Sequence, residues 1–246
     1  MKLSVIIPAH NEEGHLRKTV ENIKKSLIEN NIEYEILIVN DNSSDNTLEI
    51  GKSLHREDPN TRIITNTGKN GYGFAIVKGL NNFNGDAVVL TMADGSDNPD
   101  DIVKYYTRLQ EGFDCVFGTR FTKGANVVDY PIPKLILNRI GNIFIKTLFR
   151  LKYNDVTNGF KCYKREVIEG IKPILSHHFN LTVEMPLKAI VRGYSYSIVS
   201  TDWFNREKGI SKWKIKETGS RYLFIILYVL LEKYLSRGDY IKKVGT

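Results

Sequence analysis

Tyr34 to Asn40, YEILIVN, is an almost unbroken apolar run. A strand with no polar face persists only where both faces of its sheet are covered, as in α/β proteins. Its neighbours keep to that plan. Lys2 to Pro8 (KLSVIIP) is a strand pattern closed by the polar turn Ala9-His10-Asn11, and Glu12 to Glu29 places Leu16, Val20, Ile23, Leu27 and Ile28 at helical spacing. After the polar loop Asp41 to Asp45, Asp45 or Asn46 can cap a helix over Thr47 to His55, and Arg62 to Thr65 is a third, weaker strand. Asn66 to Gly79 (NTGKNGYGFAIVKG) is a Gly-rich turn that opens a helix. Val88 to Met92 reads as a buried strand, Asp100 to Glu111 as a helix and Phe113 to Gly118 as a strand. The alternation predicts an α/β fold with a mainly parallel central sheet and helices on both faces. A hydrophobic content of 41% in 246 residues is ample for its core.

Beyond residue 118 the pattern is less regular. Thr119 to Asp129 is a loop holding Arg120 and Lys123, Ile132 to Phe149 a helix, Asn154 to Phe160 (NDVTNGF) a polar turn, Leu181 to Val191 a helix around Glu184, and Ser195 to Thr201 a strand. With no repeat or linker, the simplest division is one domain over 1–215 and a basic, apolar helical tail over 216–246. Within the tail, Tyr222 to Leu231 (YLFIILYVLL) is ten residues long, half the ~20 needed to cross a bilayer as a helix. Lys212, Lys214, Lys216 and Arg221 precede it and Lys233, Arg237, Lys242 and Lys243 follow. Two readings stay open: a helix lying in the interface of an anionic membrane, or one packed on the domain or on a dimer partner.

The net charge of +7, with a pI near 9.2, suits nucleic acid, an anionic membrane or a phosphorylated substrate. Nucleic acid is disfavoured, because the basic residues do not interleave with aromatics on one recognisable module. Cys115 and Cys162 have no metal-ligand spacing and fit a reducing compartment. Leu3 to Ile7 is too short for a signal peptide's apolar core and lacks a cleavage site. A cytoplasmic protein is expected.

The chemistry concentrates where an apolar strand breaks into acidic and small residues. Asp94-Gly95-Ser96-Asp97 follows Val88 to Met92 at the carboxyl end, where open α/β sheets bind ligands. Two carboxylates three residues apart suit a hard divalent cation and the phosphates it carries. The same stretch also reads as a helix start, with Asp97 or Asn98 before Pro99 as the cap. The Gly-rich loop either lets its backbone or Lys69 approach a ligand closely or is only a tight turn. Ile76 stands where a dinucleotide fingerprint has its third glycine, and no Walker lysine motif is present.

Taken together, Pro8 to Glu13, the Asp41 loop, the Gly71 loop, the Asp94 turn and Arg206-Glu207-Lys208-Gly209-Ile210-Ser211-Lys212 resemble family-2 glycosyltransferases of the GT-A fold. The likeness is strongest to dolichol- or polyprenol-phosphate mannosyl- and glucosyltransferases and runs to about residue 215, which makes 1–215 the catalytic domain. It implies a nucleotide-diphosphate sugar held by Pro8, Ala9, His10, Asn11, Glu12, Asp41, Lys69, Gly71 and Ala93. It implies Mg²⁺ or Mn²⁺ at Asp94, with Asp97 as the further ligand, because Met92 stands where the family's DxD element usually has its first aspartate. Asn40 likewise replaces an aspartate common beside Asp41.

The acceptor phosphate is implied at Arg120, Lys134, Asn138, Arg206, Ser211 and Lys212, with Lys134 and Asn138 in place of the usual Arg and Ser. Asp155 to Lys161 (DVTNGFK) is similar to the family's D-x-T-S-G-F-R turn. The activity implied is inverting hexose transfer to a polyprenyl phosphate, by a protein peripheral on the cytoplasmic face of the membrane; a homo-oligomer is left open. A saccharide hydroxyl acceptor, as in cell-surface polysaccharide or glycolipid synthesis, would need a base, for which Asp97 and Asp155 are the candidates. Asp94, Asp97 and Asp155 are therefore the catalytic candidates. A sugar-nucleotide pyrophosphorylase is a weaker rival, since its loop after the first strand is missing. A non-catalytic domain binding a nucleotide or an anionic lipid head gains some support from Met92 and Asn40.

Overall fold

The structure, a computed structural model, describes residues 1–205 and 215–242, with the backbone alone for 215–218. Strands β1 (Leu3–Ala9), β2 (Tyr34–Asn40) and β3 (Thr61–Thr65) pair in parallel, and β4 (Ala87–Leu90) joins β1 in parallel on its other side. Next come β5 (Cys115–Thr119), the short β6 (Val127–Val128), β7 (Lys161–Lys164), β8 (Tyr196–Ser200) and the short β9 (Trp203–Phe204). The sheet order is β3-β2-β1-β4-β7-β5-β8, with β7 antiparallel to both neighbours and every other pairing parallel; β6 and β9 form a separate parallel pair.

The continuous apolar run of β2 is explained by its alternation between two cores. Ile36 and Ile38 pack with α1 (Leu16–Glu29), α2 (Thr47–Glu57) and α4 (Pro99–Gln110) on one face. Leu37 and Val39 join the core formed with α3 (Tyr72–Leu80), α5 (Ile132–Phe149), α6 (Arg165–Gly170), α7 (Leu181–Val191) and α8 (Ile215–Leu235) on the other. Each such side chain contributes roughly 1.5–3 kcal/mol on burial, so neither parity can be polar without loss.

Local signals set the ends of the elements. At α4, the Asn98 side chain accepts from the Asp100 N–H at 3.1 Å and Pro99 takes the first helical position. Asn98 is therefore the cap, and Asp97 is left for other work. At α2, Asp45 Oδ1 accepts from the Thr47 N–H at 3.0 Å.

The apolar-run pattern does not reveal β7, because it begins with a charged residue. Lys161 is buried, and its ammonium donates to the carbonyls of Val156 (3.0 Å) and Thr182 (3.1 Å), which replaces lost water. Cys115 and Cys162 are free thiols in the core.

Helix α8 lies against α7, and its Ile225, Ile226 and Val229 belong to the same core as α3 and α5. A buried pair fastens it: Arg192 Nε and Nη2 donate to Glu232 Oε1 and Oε2 at 2.7 and 2.8 Å. Among the described residues no helix is long and apolar enough to cross a membrane.

The strand order reverses at β1: the chain runs outward through β2 and β3 on one side and through β4 on the other. Connections leaving adjacent strand ends in opposite directions open a crevice beyond the carboxyl ends, and ligands bind there. Ala9, Asn40 and Leu90 are those ends.

Candidate functional site

A cavity of about 950 Å³ occupies that crevice, and Asp41 and Asp94 both face it. At the β1–β2 end the wall is formed by Pro8, Ala9, His10, Glu12 and Asp41. Asp41 follows β2 directly. Its carboxylate accepts from Asn66 Nδ2 at 2.7 Å and from the Gly71 N–H at 2.8 Å, and its carbonyl bonds His10 Nδ1 at 2.7 Å. These contacts tie the Gly-rich loop to the strand ends and fix the carboxylate at the cavity wall. Gly71, at φ 158°, is there of necessity: a Cβ would stand 2.9 Å from the His177 carbonyl oxygen.

The floor at the end of β4 is acidic. Asp94 Oδ1 accepts from the Ser96 N–H at 3.1 Å, and Asp97 Oδ2 accepts from Thr91 Oγ1 at 2.9 Å and the Met92 N–H at 3.1 Å. Burial, and then the charge of nearby Asp94, push the Asp97 carboxyl up to about 6. Mutual repulsion of this kind is what a divalent cation relieves, so the pair fits one. Among the described residues no group of three or more His, Cys, Asp or Glu side chains converges to hold a metal. Two carboxylates are nevertheless enough for a Mg²⁺-like ion that takes its other ligands from water and substrate phosphates.

The raised Asp97 pKa has a definite sign in stability. The native state holds this proton more tightly than the unfolded chain, so stability falls as pH rises from about 4 to about 6 and the full penalty remains above that. In chelator, the melting temperature of wild type relative to an Asp97→Asn variant is therefore expected to drop across that window. A pH-independent difference would remove the assignment.

On the other side of the floor stand Arg120, Lys134 and Asn138, with Tyr130 between the cations. Arg120 Nε and Nη2 donate to the two oxygens of Asp155 at 2.8 Å each, and the Arg120 N–H adds a 3.0 Å bond. Burial works against the Arg120 charge, but Asp155 more than offsets it and raises the guanidinium pKa. The aromatic ring of Tyr130 lies 5.6 Å from the Arg120 guanidinium and 5.8 Å from Lys134 Nζ. Asn138 donates to Thr157 Oγ1 at 2.8 Å, and Asn142 holds the same hydroxyl at 2.8 Å, so α5 fastens the DVTNGFK turn. Leu137, Phe144 and Ile226 add apolar side chains to the same lining.

Several expected residues sit apart from the cavity wall. Asn11 is exposed and organises the loop, its Oδ1 accepting from the Ser44 N–H at 2.8 Å. Lys69 is exposed and offers its carbonyl to Asn66, while Ala93 is buried with its carbonyl accepting from Thr19 Oγ1. Asp155 is fully buried with both oxygens committed to Arg120, so it orients that cation and is not positioned as a base. Arg206, Ser211 and Lys212 lie outside the described residues. Pattern reading missed the aromatic lining: Tyr72, Phe179, Tyr222 and Trp203. Tyr72 carried a signal, standing between Gly71 and Gly73 in the loop already singled out. Phe179 carried none, because its segment has no periodicity.

Residues 4–171 match the family described as Glycosyl transferase family 2. Polyprenol monophosphomannose synthase of Mycolicibacterium smegmatis is 29% identical over 214 residues, covering 85% of this chain and 79% of that protein. Dolichol-phosphate mannosyltransferase of Pyrococcus furiosus is 31% identical over 176 residues, 70% of this chain, and the match spans only 49% of that longer protein. Among solved structures, glucosyl-3-phosphoglycerate synthase from Mycobacterium tuberculosis, in complex with Mn²⁺, uridine diphosphate and glucosyl-3-phosphoglycerate, superposes with a TM-score of 0.69 at 15% identity. That superposition covers 94% of this chain and 79% of the other. At that identity the likeness speaks for the GT-A fold, and the match over 4–171 speaks for descent: the chain belongs to glycosyl transferase family 2.

Proposed function

We propose that the protein is an inverting glycosyltransferase that moves a hexose from a nucleotide-diphosphate sugar to a polyprenyl phosphate. The observation that carries this is the set of chemistries gathered in one cavity: the carboxylates of Asp41, Asp94 and Asp97, the cations of Arg120 and Lys134, and the apolar side chains of Leu137, Phe144 and Ile226. Such a set matches the nucleoside, the diphosphate, a second phosphate and a hydrocarbon chain of the two substrates. The names of the Mycolicibacterium and Pyrococcus relatives support the same acceptor.

Asp41 is suited to accept from a base N–H or the ribose hydroxyls. Asp94 and Asp97 would hold Mg²⁺ or Mn²⁺, which supplies charge neutralisation for the departing diphosphate. Arg120, kept charged and oriented by Asp155, and Lys134 would hold the acceptor phosphate in line with the anomeric carbon. One phosphate oxygen forms the new bond to that carbon while its bond to the diphosphate breaks with the electron pair. Because the attacking oxygen is already anionic, positioning matters more than proton removal. Asp155, with both oxygens on Arg120, serves this scheme as the partner of that cation and not as a base.

The acceptor reading also accounts for an exposed apolar face. Ile132 (70% exposed), Ile136, Ile140 and Ile143 of α5, and Leu223, Phe224 and Leu227 of α8, leave their side chains in water. Both helices contribute residues to the cavity lining, and Lys233 of α8 donates to the Phe149 carbonyl at the end of α5 at 3.1 Å. Exposed Lys146, Arg150 and Arg221 accompany them. An apolar face beside basic groups suits peripheral contact with an anionic bilayer, each basic residue near the surface adding about 1 kcal/mol.

The test uses labelled nucleotide hexoses with polyprenyl phosphate in anionic vesicles, and free saccharides as the rival acceptor. Transfer to the lipid is expected. Replacing Ile140 and Phe224 together by glutamate should cut vesicle flotation and lipid transfer at least about 10-fold, yet leave transfer to a short, water-soluble polyprenyl phosphate intact. Transfer to saccharides alone would overturn the acceptor assignment.

A further inference from the structure

Tyr72 opens α3 one residue after Gly71, and its ring stacks on Phe179 with centroids 4.5 Å apart and planes 10° from parallel. The stack directs the phenol into the cavity. There its oxygen lies 3.2 Å from where a Cβ on Gly159 would stand, so the glycine leaves room beside the hydroxyl. Among the described residues no hydrogen bond is made by the Tyr72 hydroxyl, whereas that of nearby Tyr222 donates to the Phe179 carbonyl at 3.1 Å. A phenol is protonated at neutral pH, with an ordinary pKa of about 10, and so can act as a donor.

The position selects the ligand group. On one side is the Gly71 amide bound to Asp41, at the end assigned to the nucleoside; on another is Asp97, at the diphosphate. Gly159 stands beside the phenol, with Thr182, at the start of α7, next to it in the cavity wall. With the nucleoside at Asp41 and the diphosphate at Asp97, the donor's sugar is the group that would reach that wall. The geometry points to the Tyr72 phenol as a specificity-determining group that donates a hydrogen bond to one hydroxyl of the transferred hexose, with Phe179 locking its direction. This rests on the glycosyl-transfer reading above.

A phenylalanine at 72 keeps the ring stack and removes only the hydroxyl. Calorimetric binding of nucleotide hexoses (UDP-glucose, UDP-galactose, GDP-mannose), of their singly deoxygenated analogues and of the bare nucleoside diphosphates decides the matter. Y72F is expected to bind the preferred hexose donor about 10-fold more weakly, with unchanged affinity for the nucleoside diphosphate. One deoxy analogue should show the same loss in wild type and no further loss in Y72F, the signature of a shared contact. Equal hexose affinity in both proteins, or losses that add for every analogue, would overturn the inference. Turnover is recorded separately. Sugar-dependent binding without transfer would defeat the proposed reaction and leave the Tyr72 contact standing; transfer with a Tyr72-independent sugar contribution would do the reverse.

Discussion

Asp94→Asn is expected to lower kcat for hexose transfer by about 10³-fold or more while the fold survives. Asparagine keeps an oxygen in the place where Asp94 Oδ1 accepts from Ser96, so the turn after β4 has no reason to move. What disappears is a full negative charge from a floor where, among the described residues, Asp94 and Asp97 are the carboxylates after β4. A Mg²⁺-like ion, if held by Asp94 and Asp97 with the donor's phosphates as proposed, would lose half of those protein ligands with one substitution. The charge that builds on the leaving diphosphate is then poorly neutralised, and the loss falls on the chemical step as well as on donor binding. Initial rates across a Mn²⁺ series, alongside thermal melts, measure both parts. A normal melt with wild-type turnover would remove the metal from Asp94.

The same variant has a second expected signature. Asp97 is held near 6 partly by the charge of Asp94, so its carboxyl should titrate lower in Asp94→Asn. The stability difference between Asp94→Asn and Asp94→Asn/Asp97→Asn should then change over a narrower pH range than the corresponding pair with Asp94 intact.

How much of this could be read from residues depends on what kind of signal each element leaves. β2 runs over Tyr34–Asn40, α5 over Ile132–Phe149 and α7 over Leu181–Val191, the bounds that apolar periodicity predicts, because burial against a sheet or a helix layer imposes that periodicity. The strand β7 escapes the pattern because its stability comes from long-range partners: β4 and β5 on either side, and carbonyl acceptors for the Lys161 ammonium. No window of local sequence contains those partners. Its insertion also separates β4 from β5, which alternation alone would set side by side.

The site divides along the same line. Asp41, Gly71 and Asp94 were legible because each follows a strand end, where chain direction alone places a residue at the crevice. Asp155 looked like a free carboxylate in a polar turn, and only the fold brings Arg120 across 35 residues to consume it. Glu184 similarly spends its carboxylate on the Leu175 and Ser176 amides at 2.8 and 2.7 Å and on Lys188 at 2.6 Å, serving the loop before α7.

Breaking the Arg120–Asp155 pair from either side is expected to cost about 3–5 kcal/mol of stability. Asp155 is fully buried and Arg120 nearly so, with side-chain exposures of 0% and 8%. Asp155→Ala leaves the guanidinium without its partner, and Arg120→Met leaves a carboxylate stranded in the protein interior; urea melts of each should show the loss. Together, Arg120→Met and Asp155→Leu remove both charges and fill their volume, so most of the stability should return. The Arg120 N–H still loses its acceptor, Asp155 Oδ2, and that buried donor should keep the double variant about 1–3 kcal/mol below wild type. Activity should not follow stability. With no cation at 120, kcat/KM for the polyprenyl phosphate should stay down by about 10²-fold or more, while KM for the nucleotide sugar stays close to the wild-type value. A folded, stable and fully active double variant would reduce Arg120 to a strut. A folded and inactive one would mean that the pair keeps its charge for the acceptor phosphate, since an apolar pair holds the fold nearly as well.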